Sequence, residues 1–494
     1  MAAPFRLYST LSRSTEAFQP ITPGKVSIYA CGMTLNGNVH VGHARAFAVF
    51  DAFVRYLRHR GWDVTYVRNF TDVDDKIILR ANELGEDPAV TAERYIADFH
   101  RDTHALGLAD PDREPRVTES IPEIIAMIAT LVEKGHAYPS EGSVWFDVTS
   151  HPSYGKLSGQ KVAELRSADE QAGKRHAADF ALWKAVKPGE PSWESPWGSG
   201  RPGWHIECSA MVKATVGPTV DIHAGGLDLV FPHHENEVAQ SECANGTHYA
   251  RYWMHNGLLT MSGGQKMGKS LGNVINLKEL LEQFPAEAMR TYYLQNHYRS
   301  PLPWSPQALP DALGMLARLY DAREKAEAMG GSEDAERVAK DLGEDAQRVL
   351  DLSAGFADRF HAALDEDFSS PQALGLVFEL ARAVNRFANH KKAKARGGPV
   401  VAPALAAFEL VHRATGLLGM DTASFQEEVK EKRLAALGLT RADVEARLAD
   451  RGAAREAKDW ARSDAIRDEL IAAGITVMDG AEGVEWRVSV AADD

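Results

Sequence analysis

The sequence from residue 26 to residue 43 reads VSIYACGMTLNGNVHVGH, an apolar run followed by an HxGH motif. Val26 to Ala30 has the composition of a buried strand. Beyond the motif, apolar residues recur at helical spacing, at Phe47, Phe50, Val54 and Leu57. The helix that they predict ends at Gly61, and Val64 to Val67 reads as the next strand. A strand, a helix and a strand in this order predict an α/β fold with a parallel sheet.

Two motifs indicate a site for ATP. His40 and His43 lie at the predicted N-terminus of the helix, where unpaired backbone N–H groups favour a phosphate. The second motif is KMGKS at residues 266–270, where Lys266 and Lys269 can supply positive charge as a phosphoryl bond breaks. Either motif alone is weak evidence for an ATP site, because histidines often cap helices or lie in cores, and basic runs are usually solvated. Found together in one chain, they favour nucleotide chemistry.

Composition excludes several classes of protein. Three cysteines in 494 residues exclude a secreted disulfide scaffold. The first residues lack the pattern of a signal peptide, and no stretch is apolar long enough to cross a bilayer, so we expect a cytoplasmic protein without a membrane partner. The formal net charge of −14 favours solubility, although the basic residues between 430 and 467 could still contact RNA locally.

The pattern along the chain predicts three domains. A segment rich in Gly, Pro, Ser and Trp, at about 116–203, reads as an insertion into the sheet, which resumes with strands at 220–223 and 252–255. Helical patterns dominate from 309 to about 420, with a basic linker at 390–398. The last sixty residues predict a helix followed by two short strands. We therefore expect domains at 1–308, 309–425 and 426–494.

A metal site is the second strong prediction. His233 and Glu237 are four residues apart, so they share one face if Pro232 begins a helix. Cys31, directly after the first strand, and Cys208 can add two thiolates, and this mixture of ligands suits zinc. Isolated reduced cysteines are more often small buried hydrophobes, as we expect for Cys243. Spacing alone leaves other ligands open, namely His205, His223, His234 and Glu235.

Five segments together carry a resemblance to a known family. They are CGMT at 31–34, HVGHAR at 40–45, RPGWHIEC at 201–208, GGLDLVFPHHENE at 225–237 and KMGKSLGN at 266–273. The chain resembles the cysteinyl-tRNA synthetases, which are class I aminoacyl-tRNA synthetases. The resemblance extends over nearly the whole chain, and the block from 208 to 237 is its most specific part.

The resemblance implies a fold, an activity and a set of site residues. A Rossmann-like catalytic domain with an insertion would be followed by an α-helical bundle and a small α+β anticodon-binding unit, in a monomer. The reaction would convert ATP and L-cysteine to cysteinyl adenylate and then acylate the terminal adenosine of cysteine tRNA. The residues implied in ATP binding and catalysis, with magnesium on the phosphates, are His40, His43, Lys266 and Lys269.

The resemblance also implies roles in binding the other substrates. One zinc ion would be held by Cys31, Cys208, His233 and Glu237, and the substrate thiolate would join it as a further ligand. Trp204 would line the cysteine pocket with Cys31, and Asp228 would face the amino group. In the tail, the residues at anticodon-reading positions are Arg455, Trp460 and Asp464. The same tail residues also fit a solvated helix face with one packed tryptophan.

Two departures from the family pattern stand out. Residues 34–37 read TLNG where the family usually has TVYD, which removes a tyrosine and an aspartate near the pocket. Gly268 replaces a serine in the KMSKS-type loop, which adds backbone freedom and predicts slower or looser closure over ATP.

Three rival functions remain at the level of the sequence. A ligase that joins cysteine to an amino sugar would lack the anticodon unit. A nucleotidyltransferase shares HxGH but would not explain the Cys, Cys, His and Glu set. A non-catalytic paralogue that binds cysteine or RNA as a regulator is disfavoured by the intact His40, His43 and Lys269.

Overall fold

A parallel sheet forms the centre of the catalytic region in the computed structural model, which describes residues 5–165, 173–261, 274–480 and 483–488. Its strands lie in the order β10 (Ala250–Asn256), β9 (Val220–Gly226), β3 (Lys25–Ala30) and β4 (Asp63–Arg68), and every neighbouring pair is parallel. An antiparallel amino-terminal hairpin precedes it. The elements up to the insertion are β1 Arg6–Ser9, β2 Ser14–Ala17, β3 Lys25–Ala30, α1 Val41–His59, β4 Asp63–Arg68, α2 Asp75–Leu84 and α3 Pro88–Ala105.

The predicted insertion contains a sheet of its own. Four short strands pair in the order β5-β6-β7-β8, all antiparallel, and a helix precedes them in the sequence. Sequence reading predicted an insertion here but none of these strands. Its elements are α4 Ile121–Glu133, β5 Ala137–Ser140, β6 Ser143–Phe146, β7 Phe180–Ala185 and β8 Gly200–Pro202.

The chain then returns to the central sheet and adds the strands whose carboxyl ends complete the site. β9 pairs with both β3 and β10. Two further short strands, β11 and β12, pair in parallel, and two helices lie between them in the sequence. These elements are α5 Trp204–Thr215, β9 Val220–Gly226, α6 Glu235–Asn245, β10 Ala250–Asn256, β11 Leu259–Met261, α7 Leu277–Gln283, α8 Ala286–Leu294 and β12 Leu302–Trp304.

Helices make up the chain from residue 308 to residue 415, as the sequence predicts. The basic linker contains one short helix, which begins at Ala393. The helices are α9 Ala308–Glu327, α10 Ala335–Leu342, α11 Glu344–Ser353, α12 Phe356–Asp365, α13 Ser370–Ala388, α14 Ala393–Arg396 and α15 Gly398–Thr415. They share one continuous apolar core with α1 and with one face of the central sheet.

The C-terminal part consists of three helices and an antiparallel hairpin. It has a small core of its own, while Phe425 and Val429 of its first helix belong to the main core. Its elements are α16 Thr422–Ala436, α17 Arg441–Glu456, α18 Trp460–Ala472, β13 Ile475–Gly480 and β14 Gly483–Val488. The expected boundary between residues 425 and 426 falls inside α16, so the division of the chain there stays a prediction. No helix of the described residues has the length and apolar character that a bilayer span requires.

Candidate functional site

The four predicted metal ligands meet at the carboxyl edge of the central sheet. Cys31 directly follows β3, and Cys208 lies in the second turn of α5. His233 lies in the turn after β9, and Glu237 lies in the first turn of α6. All four side chains are buried. This edge is where open α/β sheets bind their ligands.

The spacing of the four ligand atoms fits a tetrahedral zinc ion. With Zn–S near 2.3 Å and Zn–N near 2.0 Å, two sulfurs would lie about 3.8 Å apart, and a sulfur and a nitrogen about 3.5 Å apart. Cys31 Sγ is 3.8 Å from Cys208 Sγ, 3.6 Å from His233 Nε2 and 3.6 Å from Glu237 Oε1. His233 Nε2 is 3.0 Å from Glu237 Oε1. The donors present therefore fit zinc in both chemistry and spacing.

A second possible ligand set overlaps the first. It keeps Cys31 and Glu237 and replaces the other two residues by His223 and His234. His223 Nε2 is 3.4 Å from Cys31 Sγ, and His234 Nε2 is 3.9 Å from Glu237 Oε1. Because both sets contain Cys31 and Glu237, an ion bound to one set would prevent a second ion from binding to the other. The structure thus brings together two of the alternative ligands that the sequence left open.

The charges of the set depend on one another. A hydrogen bond with Cys31 lowers the pKa of Cys208 to about 6, whereas burial raises the pKa of Cys31 well above its usual value. Burial opposes the charges of both Glu237 and His233, but His223 and His233 outweigh it at Glu237, and Glu237 and Cys208 outweigh it at His233. The pKa of Glu237 falls well below its usual range, and that of His233 rises to about 10. Cation binding must therefore displace protons from Cys31 and His233, so it weakens as the pH falls.

Several neighbours orient these ligands. Tyr249 donates a hydrogen bond of 2.6 Å to Glu237 Oε2, and His205 Nδ1 lies 3.0 Å from His233 Nδ1. His234 Nδ1 lies 2.7 Å from His255 Nε2. Such outer contacts fix ring and carboxylate orientations around a metal. Sequence reading missed Tyr249 and His255, because neither stands at a ligand-like spacing from the others.

The backbone before α6 agrees with the helical start that the sequence argument assumed. Phe231 has extended torsion angles (φ −139°, ψ 132°) and is the only residue of Val230–His234 that departs from helical ones, so helical backbone runs from Pro232 into α6. His233 and Glu237 therefore lie one helical turn apart, with His233 Nε2 3.0 Å from Glu237 Oε1.

The HxGH motif opens α1, as predicted, but its first histidine caps the helix. His40 Nδ1 accepts hydrogen bonds from the backbone N–H groups of Gly42 (3.1 Å) and His43 (3.2 Å). The expectation that these donors are unpaired is therefore wrong, because the imidazole reaches them first. The rings of His40 and His43 stack with their centroids 3.5 Å apart. Both rings thus remain at the N-terminus of α1, at the same edge of the sheet as Cys31.

Two predicted substrate contacts flank the metal-ligand set. Trp204, half-buried at the start of α5, has its ring centroid 4.3 Å from that of His233. It lines a cleft of about 290 Å³ together with Thr34, Lys76 and Lys184. Asp228 is exposed in the turn after β9. In the unusual TLNG segment, Asn36 is half-buried and its N–H donates to the Thr34 carbonyl, 2.9 Å away.

Comparison with known proteins assigns the family. A model described as tRNA synthetases class I (C) catalytic domain matches residues 17–314, DALR domain matches 359–419, and Cysteinyl-tRNA ligase anticodon binding domain matches 433–487. A cysteine–tRNA ligase of Geobacter sulfurreducens is 48% identical over 98% of this chain and 99% of the relative. One of Alkalilimnicola ehrlichii is 48% identical over 97% and 99%. The chain belongs to the cysteine–tRNA ligase family.

A solved structure has a similar fold. A methionyl-tRNA synthetase of Mycobacterium tuberculosis, in complex with methionyl-adenylate, matches with a TM-score of 0.59. The match covers 84% of this chain and 94% of that chain, at 16% identity. The predicted α/β fold with a class I catalytic domain is confirmed.

The remaining predicted residues lie away from the ligand set or outside the described residues. Lys266, Gly268 and Lys269 belong to the undescribed part of the chain. Arg455 lies at the end of α17 with Nη1 3.1 Å from Asp479 Oδ2. Trp460 opens α18 and is 58% exposed, and Asp464 follows on the same face one turn later. Their roles in tRNA binding stay predictions.

Proposed function

We propose that this chain activates L-cysteine with ATP and transfers it to the 3′-terminal adenosine of a cysteine tRNA. The observation that carries the proposal is the buried set of two sulfurs, one imidazole and one carboxylate beside the HxGH helix. Such a set provides soft ligands suited to a thiol substrate, next to a helix N-terminus whose positive dipole end favours phosphates. The domain division at 1–308, 309–425 and 426–494 is part of the same proposal.

In the first step, a carboxylate oxygen of cysteine would attack the α-phosphorus of ATP, and the bond to pyrophosphate would break. The carboxylate is already ionised at neutral pH, so the step needs alignment and charge stabilisation more than a general base. His40 and His43 would bind the phosphates from the N-terminus of α1, with magnesium on the triphosphate. Lys266 and Lys269 would supply positive charge from the KMGKS motif.

Selection of the amino acid would depend on Cys31, Cys208, His233 and Glu237. When bound there, zinc would supply a soft cationic position that prefers the deprotonated sulfur of cysteine to the hydroxyl of serine. Trp204 would form a wall of the pocket, and Asp228 would face the amino group. We expect discrimination against serine of about 10⁴-fold, which corresponds to about 5.5 kcal/mol.

Binding of tRNA would use the C-terminal unit. Trp460 is largely exposed on a short helix, which suits stacking on an unpaired base, and Arg455 and Asp464 can hydrogen-bond base edges. A family match to an anticodon-binding domain supports this assignment. The monomeric state and the cytoplasmic location stay predictions.

Cysteine-dependent exchange of pyrophosphate into ATP tests the proposal. We expect exchange with cysteine and about 10⁴-fold less with serine. Cys208→Ala should lose zinc, measured by metal analysis, together with cysteine-dependent exchange. Charging of cysteine tRNA would then complete the assignment. A folded, zinc-loaded protein without exchange would contradict the proposal and favour the regulatory alternative.

The two overlapping ligand sets need a matched pair of variants. Cys208→Ala affects only the first set, and His223→Asn affects only the second. Loss of zinc in Cys208→Ala alone would support the first set. Loss of zinc in His223→Asn alone would place the ion in the second set and overturn the assignment of Cys208 and His233 as ligands.

A further inference from the structure

Asn256, the last residue of β10, carries a buried amide without a partner. Its side chain is 2% exposed, and neither Oδ1 nor Nδ2 has a hydrogen-bond partner among the described residues. Leaving a buried polar group unsatisfied destabilises the folded protein. Native proteins contain few such groups, and they concentrate where function requires them. A donor and an acceptor on one side chain point to a ligand that offers both.

The strand register shows which face of the sheet Asn256 occupies. Side chains alternate along a strand, and Trp253 and His255 point to the histidines beside the metal-ligand set. Tyr252 and Met254 instead belong to the core shared with α1. Asn256 continues this second series, so its amide lies on the α1 face, opposite to the ligand set.

The neighbours of the amide on β9 are small or polar. Its register partner on β9 is Gly226, which has no side chain. The carboxylate of Asp228 lies next to the α-carbon of Gly226, because an added Cβ would meet Asp228 Oδ1 at 2.5 Å. The side chain of Asn256 therefore has a backbone neighbour on one side and a polar residue beyond it, at the carboxyl edge of the sheet.

The N-terminus of α1 closes the other side. Arg45, two residues after the HxGH motif, donates a hydrogen bond of 2.5 Å to the carbonyl of Gly257, the residue after Asn256. An added Cβ on Gly42 would lie 4.0 Å from Leu259 Cβ. The chain around Asn256 therefore lies between β9 and the N-terminal end of α1, where the positive end of the helix dipole favours phosphates.

We propose that Asn256 binds the adenosine of ATP, an inference that rests on the proposed function. Nδ2 donates to the nucleoside and Oδ1 accepts from it. An asparagine amide pairs with adenine through one donor and one acceptor, and ribose hydroxyls offer the same pair of groups. The position supports this assignment, because a nucleotide with its phosphates at α1 extends along the carboxyl edge of the sheet.

The test compares wild type with Asn256→Ala and Asn256→Leu in pyrophosphate exchange and thermal unfolding. We expect the KM for ATP to rise about tenfold or more, as expected for two lost hydrogen bonds, while the KM for cysteine and the zinc content stay unchanged. The Tm of the nucleotide-free variants should equal or exceed that of wild type, because the unsatisfied amide is gone. A merely structural asparagine would instead lower the Tm and leave the KM for ATP unchanged, which would overturn the inference.

Thr422→Val provides the matched control. Thr422 is buried at the start of α16, and its Oγ1 has no partner among the described residues. It lies in the C-terminal part of the chain, so its removal should leave the KM for ATP unchanged while the Tm stays equal or rises. Equal increases of the KM in Thr422→Val and Asn256→Ala would contradict the proposed contact.

Nucleotide analogues distinguish the two parts of adenosine. If Asn256 binds the base, the loss in Asn256→Ala should shrink with inosine triphosphate, and if it binds the ribose, the loss should disappear with 2′,3′-dideoxy-ATP, which lacks both ribose hydroxyls. An identical loss with ATP and both analogues would mean that the amide does not contact the nucleoside. Direct ATP binding by calorimetry separates this inference from the proposed function, because weakened ATP binding in Asn256→Ala would support the contact even without exchange.

Discussion

At the scale of single residues, Arg45 shows how the fold holds the edge of the site together. Its side chain is 1% exposed and donates to the carbonyls of Gly257, Leu258 and Ser300, at 2.5, 3.2 and 2.6 Å, and to two more. Burial lowers its pKa to about 10, so the guanidinium stays charged at neutral pH. One cation thus connects α1 with the turn after β10 and with the segment before β12.

We predict that Arg45→Lys lowers the free energy of unfolding by about 2–4 kcal/mol. Lysine keeps the charge but offers three donors where the guanidinium offers five in a planar fork, so buried carbonyls lose partners. Arg58→Lys on the same helix is the control, because Arg58 is exposed and pairs with the exposed Asp112. Urea unfolding measures both variants, and equal small effects would show that the five bonds contribute little.

The sequence predicted the members of the metal-ligand set better than the residues that support them. Cys31, Cys208, His233 and Glu237 were found because their chemical types are rare in this combination, and the structure brings them together. Tyr249 and Asn256 were missed, because a tyrosine or an asparagine at the edge of a strand has no distinctive pattern. Tyr249 matters because it contacts Glu237, twelve residues away in the sequence, and Asn256 stands out because its amide has no partner among the described residues. Neither property can be read from sequence spacing.

At the scale of secondary-structure elements, a buried ion pair connects α1 with α8 and α15. Arg290 Nη2 lies 2.7 Å from Asp51 Oδ2 and 2.8 Å from the carbonyl of Thr415, the last residue of α15. Asp51 also accepts from Arg55 and from the backbone of Ala109. Burial alone would raise the pKa of Asp51, but Arg290 and Arg55 lower it below its usual value.

We predict that Asp51→Asn destabilises the protein by about 3–5 kcal/mol at pH 7, because it leaves Arg290 buried without its anion. A lowered folded-state pKa contributes stability above the unfolded value of about 3.9, and this stability is lost as the pH falls through the folded value. The difference in the free energy of unfolding between wild type and Asp51→Asn should therefore have its full size at pH 7 and become smaller below about pH 4. Urea unfolding at several pH values measures it. Glu379→Gln removes an exposed ion pair with Arg348 and should cost about 1 kcal/mol or less; a cost equal to that of Asp51→Asn would contradict the argument.

Elements with long, clear periodicity were predicted within one or two residues. β3, α1 and β4 follow from an apolar strand, a helical repeat and a glycine stop, and their parallel pairing is confirmed. The strands of the insertion were missed, because β5, β6 and β8 have only three or four residues each, among prolines and glycines. Such strands form through their partners in the sheet, so local pattern alone does not indicate them.

At the scale of the whole molecule, the catalytic region and the helices after residue 308 share one apolar core. The C-terminal unit has a separate small core, formed by residues such as Leu434, Ile466 and Trp486. A change on the outer surface of α18 should therefore leave the catalytic region folded. If the C-terminal unit binds tRNA as proposed, pyrophosphate exchange would need only the catalytic region and tRNA charging would need both, so the two assays would separate the functions of the two parts.

We predict that Trp460→Ala raises the KM for cysteine tRNA about tenfold in charging and leaves pyrophosphate exchange unchanged, because a base stacked on an aromatic ring contributes about 1–3 kcal/mol. Trp460 is 58% exposed at the start of α18, so its removal should change the Tm little. Ile471→Ala, on the same helix and 51% exposed, is the matched control and should charge tRNA normally. If Trp460→Ala charges tRNA as well as Ile471→Ala does, the indole packs against the unit without contacting a base. If both variants lose charging equally, the whole helix face contacts tRNA, and the assignment of Trp460 as a single stacking residue is wrong.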